Sequence, residues 1–203
     1  MIPSLIRRTF PVWLLLPALC GLSPTDPAQE AIAGQDVGEG RKPDVIYVPT
    51  PQVVVDKMLE LAEVKKGDVV YDLGCGDGRI VVTAAKKYGV KAVGIDIDPQ
   101  RIKEAQKNVK DNGVEDLVEI RQADIFQTDL SEASVVTLYL LPSLNVRLMP
   151  QLAELKDGSR IVSHSFDMKG AKPKQVVEIE DADTGWGEHT VYLWVVPWEK
   201  DGD

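Results

Sequence analysis

Val69-Val70-Tyr71-Asp72-Leu73-Gly74-Cys75-Gly76-Asp77-Gly78-Arg79 decides the reading of this chain. An apolar run stops in glycines at 74, 76 and 78, and apolar residues then return at helical spacing with Ile80, Val81, Ala84, Ala85 and Tyr88. That pattern is a strand, a tight turn and a helix start. Glycines in the turn permit positive φ and let a ligand approach the main chain with no Cβ in the way. The N–H groups that open the helix favour an electronegative guest. A nucleotide-like ligand is therefore expected here. The stretch is not the dinucleotide fingerprint G-x-G-x-x-G, which requires glycine at position 79, where Arg79 stands.

Outward from that stretch, strands alternate with helices. Before it, the segment from Pro43 to Pro51 is extended, because residues that precede proline are kept out of the helical region. Thr50 then reads as an N-cap with Pro51 at the first helical position, followed by Val54, Val55, Met58, Leu59 and Ala62 at helical spacing. After Gly89, residues 91–97 read as a second strand, and Asp98-Pro99 opens a helix that Asn112-Gly113 closes. Residues 118–123, 134–141 and 159–165 read as three further strands, with a helix over 142–155. Residues 176–179 and 190–196 flank a loop with Gly185 and Gly187 and are expected to pair like a hairpin. Repeated strand–helix units with short connections imply an α/β, doubly wound, mainly parallel sheet of seven strands with helices on both faces and an antiparallel C-terminal strand.

The chain of 203 residues, 44% of them hydrophobic, suits one well-cored domain. Residues 1–33 carry Arg7, Arg8, Asp26 and Glu30, so the whole net charge of −9 falls on residues 34–203. A domain so acidic is repelled by phosphate backbones, which makes nucleic acid a poor substrate. Arg7-Arg8, an apolar run over residues 10–20 and a Ser/Pro/Gln/Gly-rich stretch with Ala31-Ile32-Ala33 have the three-part layout of a secretory signal. The run falls short of a membrane span and is broken by Pro11 and Pro17. We expect residues 1–33 to be a cleaved signal or short anchor, 34–42 a linker and 43–203 the folded domain, exported and monomeric, with membrane contact only through the leader. Cys20 and Cys75 fall in the leader and the glycine loop, and no Cys/His cluster suggests a metal.

The glycine stretch resembles motif I of class I S-adenosylmethionine-dependent methyltransferases. Gly94-Ile95-Asp96-Ile97-Asp98-Pro99 resembles their second-strand motif, and Gln122-Ala123-Asp124-Ile125 their third-strand motif. An acid at the end of the second strand, about 20 residues beyond the glycine turn, binds ribose hydroxyls in doubly wound folds. The resemblance implies S-adenosylmethionine as cofactor. It places Asp72 against the methionine ammonium, Gly74, Cys75, Gly76 and Gly78 along the methionine and ribose, Asp96 and Ile97 at the ribose, and Asp124 and Ile125 at the adenine. Capping of neighbouring helices is the competing role for Asp72 and Asp124, and a plain turn is the competing role for Asp96.

Tyr139-Leu140-Leu141-Pro142 stands where base-methylating relatives of this fold carry Asn-Pro-Pro-Tyr or Asp-Pro-Pro-Tyr, a departure that argues against base methylation. Tyr47-Val48-Pro49-Thr50-Pro51, followed by the glycine stretch, is similar to the seven-strand lysine methyltransferases of the ADP/ATP carrier and the ATP synthase c-subunit. That resemblance implies a loop closing over the cofactor, with Tyr47 and Thr50 as candidate contacts, and a protein lysine as acceptor. A small-molecule methyltransferase and a non-enzymatic S-adenosylmethionine-binding module are the alternatives. Tyr139 is the candidate contact of the target nitrogen, and His164 at the end of the fifth strand is a candidate catalytic residue, with strand packing and a structural histidine as the respective competing roles. His189, Trp186, Trp194 and Trp198 are expected to pack the hairpin.

Overall fold

The computed structural model describes residues 42–181 and 187–202. The leader, residues 1–33, nearly all of the 34–42 linker, Gly185 and Trp186 lie outside the described residues. Seven strands form one sheet in the order β3-β2-β1-β4-β5-β7-β6. In chain order the elements are α1 (Gln52–Leu61), β1 (Val69–Leu73), α2 (Arg79–Tyr88), β2 (Lys91–Asp96), α3 (Pro99–Asp111), β3 (Val118–Gln122), β4 (Val135–Leu138), α4 (Pro142–Leu152), β5 (Arg160–His164), β6 (Gln175–Asp181) and β7 (Gly187–Val195). The first five strands run parallel, whereas β7 lies antiparallel between β5 and β6. The mainly parallel, doubly wound sheet expected from the strand–helix alternation is the observed one, with its antiparallel C-terminal pair.

Alternation within the strands divides the core between two faces. Val70, Ala92, Val135 and Val162 point to one side, where α1, α2 and α3 bury Val55, Leu59, Val81, Ala85 and Val109. Tyr71, Leu73, Ile95, Val136 and Ile161 point to the other, against Leu148 and Leu152 of α4 and Trp194 of β7. Strands buried on both faces read as continuous apolar runs, which is why Val69 to Leu73 is legible as an inner strand. Trp194 is fully buried and donates its Nε1–H to the Ala171 carbonyl at 2.9 Å, and Trp198 packs against the same cluster.

Local signals placed most boundaries. Asp98 caps α3 by accepting from the Gln100 N–H at 2.8 Å, with Pro99 opening the helix. Gly89 and Gly113 leave their helices at φ +64° and +63°. Four expectations need correction. Gly187 belongs to β7, paired with Asp181 of β6, rather than to the hairpin loop. Thr50 does not cap α1: the N-cap position falls on Pro51, and the Thr50 hydroxyl turns inward to a long-range partner. β4 ends at Leu138 rather than 141, because its ladder with β1 and β5 stops there, which releases Tyr139 into the following loop. α4 ends at Leu152 rather than 155, three residues after which Leu155 still packs into the core.

Candidate cofactor and acceptor site

β1 is flanked by β2 on one side and β4 on the other, so the direction of winding reverses between β1 and β4. In open α/β sheets the crevice beyond the carboxyl ends of the strands at such a switch point is where ligands bind. A cleft opens there. Its walls come from the 43–50 segment, the glycine loop, the ends of β2 and β3, and the segment after β4.

Six carboxylates line it, among them the three that the sequence singles out. Asp72, at the end of β1, is buried and accepts the Thr137 hydroxyl of β4 at 2.7 Å. Burial pushes its carboxyl up to about 7; the Thr137 hydrogen bond opposes the shift, and the charges of Asp96 and Asp77 add to it. Asp96, at the end of β2, accepts the Gly76 N–H through one oxygen and the Asp98 N–H through the other, both at 2.9 Å. Burial raises its carboxyl, its backbone hydrogen bonds oppose the rise, and Asp98 adds to it. Asp124, beyond β3, accepts from the Phe126 N–H at 3.0 Å and from Gln127 Nε2 at 2.9 Å. Asp124 thus takes part of the local turn role and still lines the cleft, beside Ile125, while Ile97 follows Asp96 along the same wall.

The glycine loop is tied to β2, with the Gly74 and Cys75 N–H groups both donating to the Ile95 carbonyl at 2.8 and 2.9 Å. Gly78, at φ +76°, opens α2, and a Cβ there would come within 3.0 Å of Ala105 of α3. Gly76, at φ +54°, carries the Tyr47 ring so close that a Cβ would lie 2.2 Å from it. The thiol of Cys75 is buried and pushed up by that burial, which suits a packing residue rather than a nucleophile.

The 43–50 segment lies as a strap along the cleft. Arg101 of α3 stacks its guanidinium 4.5 Å from the centre of the Tyr47 ring. Arg79 donates to the Thr50 carbonyl at 2.9 Å and pairs with Asp77 at 2.6 Å. Burial pushes Asp77 up, but hydrogen bonding and charge from Arg79 outweigh it and hold the carboxyl below its ordinary value. Arg79, the residue that breaks the dinucleotide pattern, is therefore the clamp between glycine loop and strap. Thr50 lines the cleft as well, and its hydroxyl is directed at His164 Nδ1, 3.4 Å away, which anchors the end of the strap.

On the opposite wall Tyr139 lines the cleft, its phenol raised by burial and drawn back by Ser165. His164 does not reach the cleft surface. It is fully buried behind Tyr139, with ring centroids 4.0 Å apart, and its Nε2 faces His189 Nδ1 at 3.0 Å. Burial and then the His189 ring depress it to about 4. Both ring nitrogens of His164 are thus engaged by Thr50 and His189 and neither faces the cleft, where an acceptor's proton would be. Sequence reasoning missed Thr137, Arg101 and the clamping role of Arg79. Only Arg79 carried a local signal, its place directly after the last glycine. Among the described residues no group of His, Cys, Asp and Glu could hold a metal ion.

The residues present fit S-adenosylmethionine in kind: acceptor carboxylates at Asp72, Asp96 and Asp124 suit a molecule that carries an ammonium, a ribose diol and an adenine amino group, and Gly74, Gly76 and Gly78 leave main chain open beside them. The profile described as the ANTKMT methyltransferase domain matches residues 72–175. The chain is 51% identical over 156 residues to a protein-lysine N-methyltransferase of Saccharolobus islandicus, covering 76% of this chain and 95% of that protein. It is 29% identical over 147 residues to the human ATP synthase c-subunit lysine N-methyltransferase, covering 72% of this chain and 62% of that one. Among solved structures, an RNA methyltransferase from Salinibacter ruber in complex with S-adenosyl-L-homocysteine is 54% identical, with a TM-score of 0.69 over 77% of this chain and 98% of the other. With sheet order, cleft and similarity in agreement, this chain belongs to the ANTKMT methyltransferase family and is an S-adenosylmethionine-dependent methyltransferase.

Proposed function

We propose that the enzyme methylates the side-chain amine of a protein lysine. The observation that carries the donor half is Asp72, a buried carboxylate whose hydrogen-bond partner is a neutral hydroxyl and whose charged neighbours are other carboxylates. Such a group calls for a cation, and the methionine ammonium is one. Asp96 would accept from the ribose hydroxyls with Ile97 beside it, Asp124 from the adenine amino group, and Ile125 would lie on the adenine. Gly74, Cys75, Gly76 and Gly78 would follow the methionine and ribose, with Tyr47 covering the loop.

When bound, S-adenosylmethionine supplies a methyl group on a sulfonium sulfur, which keeps the S–C bonding pair as the acceptor nitrogen's lone pair forms the new C–N bond. The protein's part is alignment of a neutral amine at about 3 to 3.5 Å from the methyl carbon. A lysine arrives as an ammonium, and the acidic domain draws it in. Its proton leaves to water at the cleft mouth, and Tyr139 holds the nitrogen that remains. The net charge of −9 and the relatives that methylate protein lysine and c-subunit lysine favour a protein acceptor. RNA is the second reading, favoured by the description of the Salinibacter ruber relative. Incubation of the enzyme with methyl-tritiated S-adenosylmethionine and host lysate decides between them. Label removed by protease and untouched by nuclease is expected, and label removed by nuclease would overturn the lysine reading. The leader supports an exported domain; N-terminal sequencing of the native protein with protease protection in spheroplasts tests it, and a shielded domain still beginning at Met1 would contradict export.

A further inference from the structure

We propose that Thr50, His164 and His189 form a buried positioning relay that ties the seated strap to Tyr139, an inference that rests on the reading of Tyr139 as an acceptor contact. The three come from separate parts of the chain: Thr50 from the end of the strap, His164 from the end of β5 and His189 from β7. His164 is 0% exposed, Thr50 5% and His189 6%. Thr50 Oγ1 stands 3.4 Å from His164 Nδ1, and His164 Nε2 stands 3.0 Å from His189 Nδ1.

Two ring nitrogens in hydrogen-bond contact cannot both carry hydrogen, nor can both be bare, so one imidazole donates and the other accepts. That contact fixes complementary tautomers and therefore the role that His164 Nδ1 offers to Thr50. The depressed basicity of His164 keeps its own ring uncharged at neutral pH. The other side of the same ring carries the Tyr139 ring at a centroid distance of 4.0 Å and a tilt of 34°. Tyr139 is steadied again by Ser165, whose backbone sits at φ +61°, a conformation that a serine holds only where its surroundings impose it. Beyond Thr50, the strap is held by Arg79 at the Thr50 carbonyl and by the seat of Tyr47 on Gly76.

Consequently the strap cannot lift at Thr50 without breaking a contact to the ring on which Tyr139 rests. A packed interior responds to such a break by switching between arrangements rather than deforming by degrees. The relay thus makes the acceptor wall sense whether the donor side is closed, and His164 is a positioning residue, not a catalytic one.

The full chain carries two histidines, so its ring resonances are few and assignable with His164→Gln and His189→Gln. Addition of S-adenosylhomocysteine is expected to shift the His164 and Tyr139 ring signals of the parent. At saturating S-adenosylhomocysteine Thr50→Val should abolish the shift, and Thr50→Ser should restore it. In labelling of the host protein fraction at saturating S-adenosylmethionine, Thr50→Val and His164→Gln should each slow turnover about tenfold, the size of one lost buried hydrogen bond, and together no more than either alone. Parent-like shifts in Thr50→Val, equal loss in Thr50→Val and Thr50→Ser, or a double variant that multiplies the single effects would overturn the relay. Absence of label from protein would instead count against the lysine reading, with the ring signals still deciding the relay.

Discussion

Asp72 sets the chemistry of the cleft because it is buried with the neutral Thr137 hydroxyl as partner and two other carboxylates as charged neighbours. Its carboxyl is raised from 3.8 to about 7 by burial, against the Thr137 hydrogen bond and with help from Asp96 and Asp77. A raised carboxyl pKa means that the native state without ligand keeps its proton where the unfolded chain has lost it. The stability from this group is full below 3.8 and falls as pH rises through about 7. A cationic ligand prefers the ionised form, so affinity for S-adenosylhomocysteine should rise with pH through about 7, with proton release below it. Calorimetry from acid to alkaline pH checks this. Asp72→Asn should flatten the profile and weaken binding by roughly 1 to 3 kcal/mol, the worth of a charge-assisted hydrogen bond; a parent profile already flat across that range would exclude Asp72 as the ammonium partner. Asp96 was legible in the sequence because it ends a short strand about 20 residues beyond the glycine turn, and Asp72 and Asp124 because they stand in motifs that resemble those of class I methyltransferases. Thr137 and His189 were not, since their partners lie 65 and 25 residues away and nothing local marks them.

At the scale of elements, the glycine loop and the strap are one device. Tyr47 rests on Gly76 and under Arg101, and Arg79 joins both loops at Thr50. The bare face of Gly76 is therefore needed by the chain's own tyrosine as well as by any ligand. Gly76→Ala puts a methyl 2.2 Å from that ring at φ +54°, so the ring must move. The left-handed backbone adds a cost of about 1 to 2 kcal/mol. The expected result is a lower thermal midpoint and weaker S-adenosylhomocysteine binding, with Tyr47→Ala in the same chain recovering stability beyond additivity. Additive losses would mean that the strap is not seated on Gly76. The strap itself was legible as an extended segment from its prolines, but its docking was not. Thr50 before Pro51 has the look of a cap, and a contact to His164 across 114 residues of sequence overrode it. Strand β4 was read too long for a related reason. Apolar residues continue to Leu141, whereas the ladder that makes them a strand depends on partners in β1 and β5.

For the whole molecule, winding order puts every one of these groups at one end of the sheet. β1 sits between β2 and β4, and the carboxyl ends of β1, β2 and β4 deliver Asp72, Asp96 and Tyr139 to one cleft although 67 residues separate the first from the last. The fold class was open to sequence reading because inner strands are continuous apolar runs and helices show their own period; the antiparallel insertion of β7 between β5 and β6 is a matter of long-range pairing. The acidic charge, spread over the same domain, bears on which acceptors approach. If the cleft holds the donor through Asp96 and delivers its methyl to lysine, both halves are read at once by acid hydrolysis of host protein labelled from methyl-tritiated S-adenosylmethionine. Parent is set against Asp96→Ala, with the donor well below saturation. Tritium is expected in methyl-lysine from the parent, with a fall of about ten- to a hundredfold for Asp96→Ala, the loss of a charge-assisted hydrogen-bond partner. Equal labelling by Asp96→Ala and the parent, or tritium recovered in methylated nucleosides, would contradict that reading of the cleft.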